Sequence, residues 1–496
     1  MPPSRGVGAS ILDHKGTQVS ETSLTPDLNR VPGQFRHIHL MGICGTGMAS
    51  LAGMLQEQGF HVTGSDQDVY PPMSLFLENL SIPVNEGYRP ENLRPRPDLV
   101  IVGNVVTRDN AEALELSRSK IPYLSFPQAL RRFALKGKRS IVVSGTHGKT
   151  TTTALVAWIL ESAGKKPGFM VGGIPKNFKK NFRLGKGSDF VVEGDEYDSA
   201  FFDKGPKFLH YGARMAILTG IEFDHADIYR DLTHLTRSFR KFIDLIPDQG
   251  LLVANVDNPV VAEEIKRAGC RVATYSLSGH SQWSAVDLGF HEGLSRFRIL
   301  KEGRKYLELS TPLYGTHNMS NLLSAVVLAH HMEIAFPILA KAARSFQGVV
   351  RRQELVGEKR GITILDDFAH HPTAVKATIG AVRRRYGNRR LVAVFEPRSN
   401  SSRRNVFQKR YALSFDDADL VMVPEPSRVE KIPPGDRFSS RELADDLGAR
   451  GIKALCFKHT ENLLRALVQE VKRGDVVLMM SNGAFDNFPR RLLKSL

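Results

Sequence analysis

The sequence predicts an α/β fold built from three consecutive domains with open, mostly parallel sheets. Short apolar strand candidates repeatedly end at glycine or polar residues and are followed by helical stretches, a pattern typical of such sheets. The chain has 496 residues, too many for one core when domains average roughly 150 residues. We predict domains over 35–137, 138–346 and 347–496, after a disordered leader over 1–34 that is rich in Ser, Thr, Pro and Gly.

The composition narrows the class of function. Hydrophobic residues make up 42% of the chain and charged residues 24%, as in ordinary globular proteins. Neither an apolar run of roughly 20 residues nor the order of a signal peptide is found, so we expect a cytoplasmic protein with no membrane partner. The scattered Cys44, Cys270 and Cys456 argue against disulfides and a zinc site. The net charge of +16 suggests nucleic acid, but basic residues are spread along the chain, which favours an anionic small substrate and no nucleic acid.

The first predicted domain begins with a strand, a glycine turn and a helix. The strand candidate His37 to Met41 leads into Gly42 to Gly47 and an apolar helix that ends near Gln58. A second strand ends at Gly64-Ser65-Asp66. This Rossmann-type pattern suits a diphosphate at the start of the helix and a hydroxyl or base edge at Asp66. Because the glycine order is not Gly-x-Gly-x-x-Gly, a merely tight turn is an equal alternative.

The second domain opens with Gly145-Thr146-His147-Gly148-Lys149-Thr150, between a strand candidate (Ser140 to Val143) and a helix that runs to Ala163. Such a junction points backbone N–H groups and the positive end of a helix dipole at one spot, which suits a polyphosphate. Lys149 adds a charge for the β- and γ-phosphates, and the Thr150 hydroxyl can ligate Mg²⁺. The motif is shorter than the general phosphate-loop pattern, and an ordinary glycine turn is the alternative.

Acidic residues and a histidine follow two later strand candidates of the same domain. Glu193-Gly194-Asp195-Glu196 comes after one strand and Glu222-Phe223-Asp224-His225 after another. Because the carboxyl ends of parallel strands share one edge, we expect these groups to converge on Mg-ATP, the alternative being a solvated acidic face. An antiparallel extension is predicted over 283–312. Asn318 and Asn321 then either read an adenine edge through their amides or cap the next helix.

The third domain shows three strand candidates that end in polar residues. These ends are Asp366-Asp367-Phe368-Ala369-His370-His371, Glu396-Pro397-Arg398-Ser399-Asn400 and Ser481-Asn482-Gly483. The adjacent His370 and His371 resemble a metal pair, but no third ligand follows at helical spacing, so a phosphate or proton-transfer role is favoured. Arg398 follows a strand end and has a guanidinium suited to carboxylates. Its alternative is a surface pair with Glu396.

Taken together, these motifs resemble the Mur ligase family of peptidoglycan synthesis, from about His37 to the C-terminus. They occur in the family's order, with Arg351-Arg352 between His317-Asn318-Met319-Ser320-Asn321 and Asp366-Asp367. The resemblance implies an ATP-dependent amide ligase that turns the lactyl carboxylate of UDP-N-acetylmuramate into an acyl phosphate. The resembled members join it to the murein tripeptide L-alanyl-γ-D-glutamyl-meso-diaminopimelate in peptidoglycan recycling. L-alanine as the acceptor, or a phosphate-loop protein without ligase activity, are the alternatives.

The resemblance also implies site residues, ATP and Mg²⁺ as cofactors, and a monomer. The ATP site is Gly145, Thr146, His147, Gly148, Lys149, Thr150, Thr151, Asn318, Arg352 and Asp367. Catalytic roles fall on Lys149, His225, Arg352 and His370. Thr150 and Glu193 would ligate one Mg²⁺, and His225 a second. The UDP-sugar is expected at Gly45, Thr46, Gly47 and Asp66, and the acceptor at Arg398, Ser399 and Asn400. The base that deprotonates the attacking amine is open among His225, His370 and His371.

Overall fold

The computed structural model describes residues 24–70, 73–279 and 281–496. The described residues divide into two compact units, 24–129 with Asp198–Lys204, and Leu130–Tyr197 with Gly205–Leu496. The described residues form one large sheet in the first unit and two in the second. The predicted α/β fold is confirmed, and the three sheets follow one another along the chain in the order of the three predicted domains.

The first unit is built on a parallel five-stranded sheet. Its strands are β1 (His37–Met41), β2 (His61–Asp66), β3 (Val84–Glu86), β4 (Leu99–Val102) and β5 (Tyr123–Ser125). Its helices are α1 (Thr46–Glu57), α2 (Met73–Asn79) and α3 (Ala111–Ser119), with α4 (Phe126–Leu130) at the boundary. The strand order is β3-β2-β1-β4-β5. The chain reverses its direction of growth at β1, so the turn after β1 lies at the switch point where such sheets bind ligands.

The structure corrects part of the predicted leader. Residues 1–23 lie outside the described residues. From Leu24, however, the chain packs into the first unit: Leu24 is buried in its core, and a short 3₁₀ helix spans Pro26–Leu28. Asn29 Nδ2 donates to the Tyr123 carbonyl and to Gln128 Oε1, both at 3.0 Å. Residues 24–29 are therefore ordered rather than disordered, because one leucine and one amide give them specific partners.

The second unit begins with a ten-stranded sheet. Its strands are β6 (Arg139–Ser144), β7 (Gly168–Met170), β8 (Phe182–Arg183), β9 (Asp189–Gly194), β10 (Met215–Leu218), β11 (Leu251–Asn255), β12 (Arg271–Ser276), β13 (Trp283–His291), β14 (Leu294–Lys301) and β15 (Arg304–Thr311). Its helices are α5 (Lys149–Ser162), α6 (Leu232–Asp244), α7 (Pro259–Glu264), α8 (Thr316–His331) and α9 (Phe336–Ser345). The order is β15-β14-β13-β12-β11-β10-β6-β9-β7-β8. The strands from β12 to β7 run parallel, and β13 to β15 form the predicted antiparallel extension.

The second unit ends with a six-stranded sheet. Its strands are β16 (Glu354–Lys359), β17 (Ile362–Asp367), β18 (Leu391–Phe395), β19 (Leu420–Pro424), β20 (Lys453–Phe457) and β21 (Val476–Met480). Its helices are α10 (Pro372–Tyr386), α11 (Gln408–Tyr411), α12 (Ser440–Ala449), α13 (Thr460–Glu470) and α14 (Phe488–Ser495). The order is β16-β17-β21-β18-β19-β20, with only β16 antiparallel among these strands.

The core of the second unit explains why polar groups collect at the strand ends. Strands β10, β18 and β21 are continuous buried apolar runs covered by helices, and β6 has such a run at Ile141, Val142 and Val143, as expected of parallel strands buried on both faces. Polar side chains have room only where these strands stop. None of the described helices is both long and apolar enough to cross a membrane.

Candidate active site

The loop between β6 and α5 adopts a turn that depends on glycine. Gly145 has φ +125° and Gly148 has φ +81°, a region that side chains disfavour. A Cβ atom on Gly148 would lie 2.4 Å from Asn321 Oδ1, and one on Gly145 would lie 2.3 Å from Thr219 Oγ1. Because Gly148 is the N-cap residue and has no side chain, the first N–H groups of α5 remain available to an anion.

Lys149 is held at the start of α5 by a buried carboxylate. Its Nζ atom donates to both oxygens of Glu196, at 3.0 and 2.8 Å, and to the Gly145 carbonyl at 2.7 Å. The side chain of Glu196 is only 1% exposed. Burial opposes both charges, but their mutual attraction raises the pKa of Lys149 and lowers the pKa of Glu196. The pair is therefore ionised, and the positively charged ammonium group of Lys149 lies beside the glycine loop.

The same glutamate orients His225. His225 Nε2 lies 2.9 Å from Glu196 Oε1. The ring therefore donates to this carboxylate from Nε2, and Nδ1 is not used in this contact. Burial opposes protonation, yet the Glu196 carboxylate raises the pKa of His225 above its ordinary value. The residue has φ +57°, and its N–H donates to Asp224 Oδ1 at 2.7 Å. The two acidic stretches thus meet Lys149 at one edge of the sheet.

Thr150 joins the glycine loop to a second carboxylate and to an arginine. Its hydroxyl donates to Glu193 Oε2 at 3.2 Å and accepts from Arg352 Nη2 at 3.1 Å. Gly172 N–H also donates to Glu193, at 2.5 Å. Burial raises the pKa of this carboxyl group. Arg352 packs over the Phe368 ring, 4.5 Å from its centroid.

A hydroxyl and a carboxylate this close together fit Mg²⁺, which prefers oxygen ligands. A divalent cation beside Thr150 and Glu193 would offset the burial that otherwise disfavours the charged carboxylate. The nitrogen of His225 is a poorer match to a hard cation than these oxygens. The fit of the predicted ligand set is therefore best at Thr150 and Glu193.

Asn318 lies in a buried amide network at the start of α8. Its Nδ2 atom donates to the Tyr314 carbonyl at 2.9 Å and to Gln353 Oε1 at 3.0 Å. Asn321 Nδ2 donates to Asn318 Oδ1 at 3.3 Å. The N-cap residue of α8 is Gly315, and no side chain caps the helix. The alternative that Asn318 and Asn321 act as helix caps is therefore wrong, because both lie inside the first turns of the helix.

Asp367 ends β17 as a fully engaged carboxylate. It accepts hydrogen bonds from the N–H groups of Gln353, at 2.7 Å, and Ala369, at 2.8 Å, and from the Thr378 hydroxyl at 3.3 Å. Burial is the main reason that its pKa is raised, and Arg352 acts in the opposite direction. The carboxylate ties the segment just before β16 to the loop that carries the two histidines.

Glu222 opens the acidic stretch that was expected to converge on Mg-ATP, but the sequence assigned it no role of its own. Its Oε2 atom lies 3.0 Å from His147 Nε2 and 3.8 Å from His371 Nδ1. Its Oε1 atom accepts from the Thr373 hydroxyl at 2.8 Å and from the Arg410 guanidinium. Although burial opposes ionisation, these partners lower the pKa of Glu222 well below its usual range. The carboxylate links the glycine loop to the six-stranded sheet.

Arg410 could not have been found from motifs, because it does not follow a strand end, whereas Thr373 closes the polar stretch that follows β17. Glu222 could have been found, since it opens the stretch that contains His225. The remaining loop residue, Thr146, is fixed by the same stretch: its hydroxyl donates to the Glu222 carbonyl at 3.0 Å and accepts from the Glu222 N–H at 2.9 Å. Thr151 is buried in α5.

His370 is oriented by backbone groups. Its Nδ1 atom lies 3.0 Å from the Phe368 carbonyl, so Nδ1 carries the proton and Nε2 keeps its lone pair. Burial lowers the pKa of this ring. The Tyr411 hydroxyl donates to the His370 carbonyl at 2.5 Å. A neutral ring with an available lone pair can accept a proton.

The predicted acceptor residues follow β18. Arg398 Nη1 lies 3.5 Å from Glu396 Oε1, which is the surface-pair alternative. The Ser399 hydroxyl bonds to the Ser402 hydroxyl at 2.8 Å. Asn400 Nδ2 donates to Asp227 Oδ2 at 2.8 Å. The loop therefore reaches the segment just after His225, and Arg398 has one long ionic contact among the described residues.

In the first unit, the turn between β1 and α1 is closed by Asp66. Its Oδ2 atom accepts from the Cys44 N–H at 2.8 Å, and its Oδ1 atom accepts from the Asp68 N–H at 3.3 Å. Gly45 is the N-cap residue of α1, which begins at Thr46. A Cβ on Gly47 would lie 3.1 Å from the Phe126 ring. Asp66 thus shapes the turn, and the first N–H groups of α1 remain for a ligand.

Three domain families match successive parts of this chain. The Mur ligase family catalytic domain matches residues 37–138, the Mur ligase middle domain 143–329, and the Mur ligase glutamate ligase domain 351–483. The chain belongs to the Mur ligase family. Each of the three matched ranges contains most of the strands of one of the three sheets.

Individual Mur ligases are similar over nearly the whole chain. The UDP-N-acetylmuramate–L-alanyl-γ-D-glutamyl-meso-2,6-diaminoheptandioate ligase of Escherichia coli K12 is 40% identical over 92% of this chain and 98% of its own. The UDP-N-acetylmuramate–L-alanine ligase of Desulforapulum autotrophicum is 32% identical over 93% of this chain and 98% of its own. The structure of a murein peptide ligase from Psychrobacter arcticus has a TM-score of 0.71 at 33% identity, covering 93% of this chain and 98% of that one.

Proposed function

We propose that this Mur ligase joins UDP-N-acetylmuramate to the murein tripeptide L-alanyl-γ-D-glutamyl-meso-diaminopimelate, using ATP and Mg²⁺. The relative with this acceptor is 40% identical, whereas the L-alanine-adding relative is 32% identical. The product is an amide, and the reaction belongs to peptidoglycan recycling. We further propose a cytoplasmic, monomeric enzyme.

One observation carries the ligase chemistry. The Thr150 hydroxyl bonds to Glu193 on one side and to Arg352 on the other. Arg352 lies just before the six-stranded sheet, so a residue from beyond the ATP-binding sheet reaches the phosphate loop. A binding-only loop does not require such a contact. A phosphoryl-transfer site does, because charge spreads over the transferred group and must be met by fixed cations.

The residues at the loop have separate tasks in this reaction. Lys149 and Arg352 offset the negative charge of the phosphates, and the N–H groups at the start of α5 orient them. Thr150 and Glu193 hold Mg²⁺, which supplies Lewis-acid stabilisation of the phosphoryl oxygens. Transfer of the γ-phosphoryl group to the lactyl carboxylate gives an acyl phosphate. The tripeptide α-amine then displaces phosphate and leaves an amide.

The proton lost by the attacking amine needs an acceptor. An α-amino group has an ordinary pKa near 8 and is partly protonated at neutral pH. His370 is favoured over His371, because its Nε2 lone pair is not used within the described structure, whereas His371 Nε2 donates to the Phe223 carbonyl at 3.2 Å. His225 already donates a hydrogen bond from Nε2 to Glu196, and this carboxylate raises its pKa, so His225 is less suited to accept the proton. We therefore place His370 as the base.

The substrate sites complete the proposal. Gly45, Thr46 and Gly47 open α1 at the switch point of the first sheet, and they bind the diphosphate of the sugar nucleotide. Asp66 shapes that turn. Asn318 and Asp367 line the nucleoside side of ATP. Arg398, Ser399 and Asn400 bind the acceptor at the end of β18.

The test compares acceptors. The purified chain is incubated with ATP, Mg²⁺ and UDP-N-acetylmuramate, and ADP release and amide formation are measured with tripeptide or with L-alanine. We expect both products to appear with the tripeptide and little turnover with L-alanine. Equal or better use of L-alanine would reassign the acceptor. ATP hydrolysis that does not depend on the sugar nucleotide would remove the ligase assignment.

A further inference from the structure

Three metal-ligating side chains meet beside the glycine loop but outside the ligand set assigned to Mg²⁺. His147, Glu222 and His371 each bring one ligand atom, and these atoms lie within 4.8 Å of one another. They come from three separate stretches of chain. The cluster takes His371 but not His370 from the adjacent histidine pair, and the fold supplies the other two side chains.

The hydrogen bonds of His371 show which of its nitrogens is a ligand. Nε2 lies 3.2 Å from the Phe223 carbonyl, which only accepts, so Nε2 carries the proton. Nδ1 accepts a long hydrogen bond, 3.3 Å, from the Thr373 N–H. Nδ1 also lies 3.8 Å from Glu222 Oε2, so it is the nitrogen next to Glu222, and binding a metal there would replace the long hydrogen bond from Thr373. A backbone carbonyl on the opposite ring nitrogen is the usual partner of a metal-bound imidazole.

The other two ligands are also oriented. His147 Nε2 lies 3.0 Å from Glu222 Oε2, and the His147 and His371 rings lie 4.8 Å apart. Arg410 and Thr373 hold the other oxygen, Oε1, which leaves Oε2 toward the two histidines. Two imidazole nitrogens and one carboxylate oxygen match zinc and similar ions rather than Mg²⁺.

We propose that His147, Glu222 and His371 form a binding site for a zinc-class divalent ion that ties the phosphate loop to the six-stranded sheet. Zinc lies about 2 Å from such ligands. Side-chain rotations that move each ligand atom by about 1 Å toward the ion would therefore bring the three atoms to this distance. The ion replaces the proton that His147 Nε2 now shares with Glu222, and this proton leaves to solvent. The positive charge of Arg410 makes the affinity weaker than that of a four-ligand structural site.

Zinc binding to the purified, chelator-treated full chain tests the proposal. Calorimetric titration in excess Mg²⁺ should show one saturable site, and zinc should raise the melting temperature. His371→Gln should weaken the affinity by at least about 10- to 100-fold and abolish the shift in melting temperature. Unchanged affinity in His371→Gln would overturn the site, as would full displacement of zinc by Mg²⁺.

Surface histidines require a matched control, because the chain contains 16 histidines. His234→Gln removes a histidine from α6, outside the cluster, and should leave the titration unchanged. Glu222→Gln should weaken binding as His371→Gln does. If either cluster variant misfolds, X-ray absorption of the zinc-loaded wild type decides: two imidazoles and one carboxylate support the site, and oxygen ligands alone refute it. Neither readout depends on ligase activity.

Discussion

Two glycine-rich turns, one after β1 and one after β6, each follow the first strand of a sheet. They differ in the charged side chains around them. The turn after β1 contains no lysine, and its nearest acid, Asp66, accepts the Cys44 N–H of the turn itself. The turn after β6 ends in Lys149, whose ammonium group is paired with Glu196. Both turns present the start of a helix, but only the second combines that start with a cation.

The difference separates holding a phosphate from transferring one. A helix start with free N–H groups is enough to bind a diphosphate. Phosphoryl transfer also needs fixed positive charge and a metal site where charge spreads. Only the second turn has a hydroxyl bonded to both a carboxylate and a guanidinium, at Thr150. The strand–turn–helix pattern alone therefore does not distinguish phosphate binding from phosphoryl transfer. The charged side chains around the turn make that distinction.

The largest expected effect is that of Lys149→Ala. Removing one electrostatic contact to the developing charge typically costs on the order of 10² to 10³ in rate, so turnover should fall at least that far. Binding of UDP-N-acetylmuramate, measured by calorimetry, should stay within a few fold, because the turn that we propose as the sugar-nucleotide site lies in the other unit. Glu193→Ala should behave alike. Near-normal turnover in either variant would contradict the conclusion that the turn after β6 serves phosphoryl transfer.

Glu196→Gln tests whether the partner of Lys149 is needed for rate. Loss of a carboxylate that orients a ligand typically costs about 10- to 100-fold, and we expect that loss in kcat, because Lys149 and His225 both lose an ionic partner. Glu196→Asp should recover part of it.

A matched control lies in the first unit, where buried Glu112 Oε1 bonds to His39 Nε2 at 2.8 Å and accepts from the Ser65 hydroxyl at 2.9 Å. Glu112→Gln should lower the melting temperature while keeping kcat. If both glutamate variants change only stability, Glu196 serves packing and not the reaction.

The glycines of the two turns differ in what they tolerate. Gly148→Ala strains a residue at φ +81° and places Cβ 2.4 Å from Asn321 Oδ1, which should cost about 1–3 kcal/mol. Gly45 has φ −66°, and its nearest contact for a Cβ is 3.6 Å away. Gly45→Ala should therefore keep the melting temperature, and any loss should appear in UDP-sugar affinity. Equal destabilisation by the two alanines would contradict this difference.

Much of the fold follows from the sequence, since apolar runs that end in glycine or acids specify buried parallel strands. Strand β1 begins and ends where predicted, at His37 and Met41. Strands β19 and β20 were not predicted, although polar residues follow both of them. The site was partly predictable. The motif residues Lys149 and Thr150 were found, but the contacts of Arg410 and Thr373 with Glu222 depend on side chains that only tertiary structure brings together.

The smallest expected effect concerns Arg398, the residue for which the structure offers two interpretations. Its guanidinium lies 3.5 Å from Glu396 Oε1, and its side chain packs on Gly483, where a Cβ would lie 2.1 Å from Arg398 Cδ. If Arg398 binds a carboxylate of the tripeptide, Arg398→Ala should lower kcat/KM for the tripeptide about tenfold, through KM, and leave the KM for ATP unchanged. Arg296→Ala, on the antiparallel extension, removes an equivalent charge and should change neither constant.

Glu396→Gln separates the two interpretations of Arg398. Glutamine can still accept from the Ser481 hydroxyl, which donates to Glu396, but it no longer holds the guanidinium by charge. If Arg398 serves only that ion pair, Glu396→Gln and Arg398→Ala should give the same kinetics, because each breaks the same contact. If Arg398 binds the acceptor, Glu396→Gln should preserve or lower the KM for the tripeptide, since the guanidinium is released toward the substrate. Steady-state kinetics with the tripeptide as the varied substrate distinguish the two, and matching losses in both variants would assign Arg398 to structure alone.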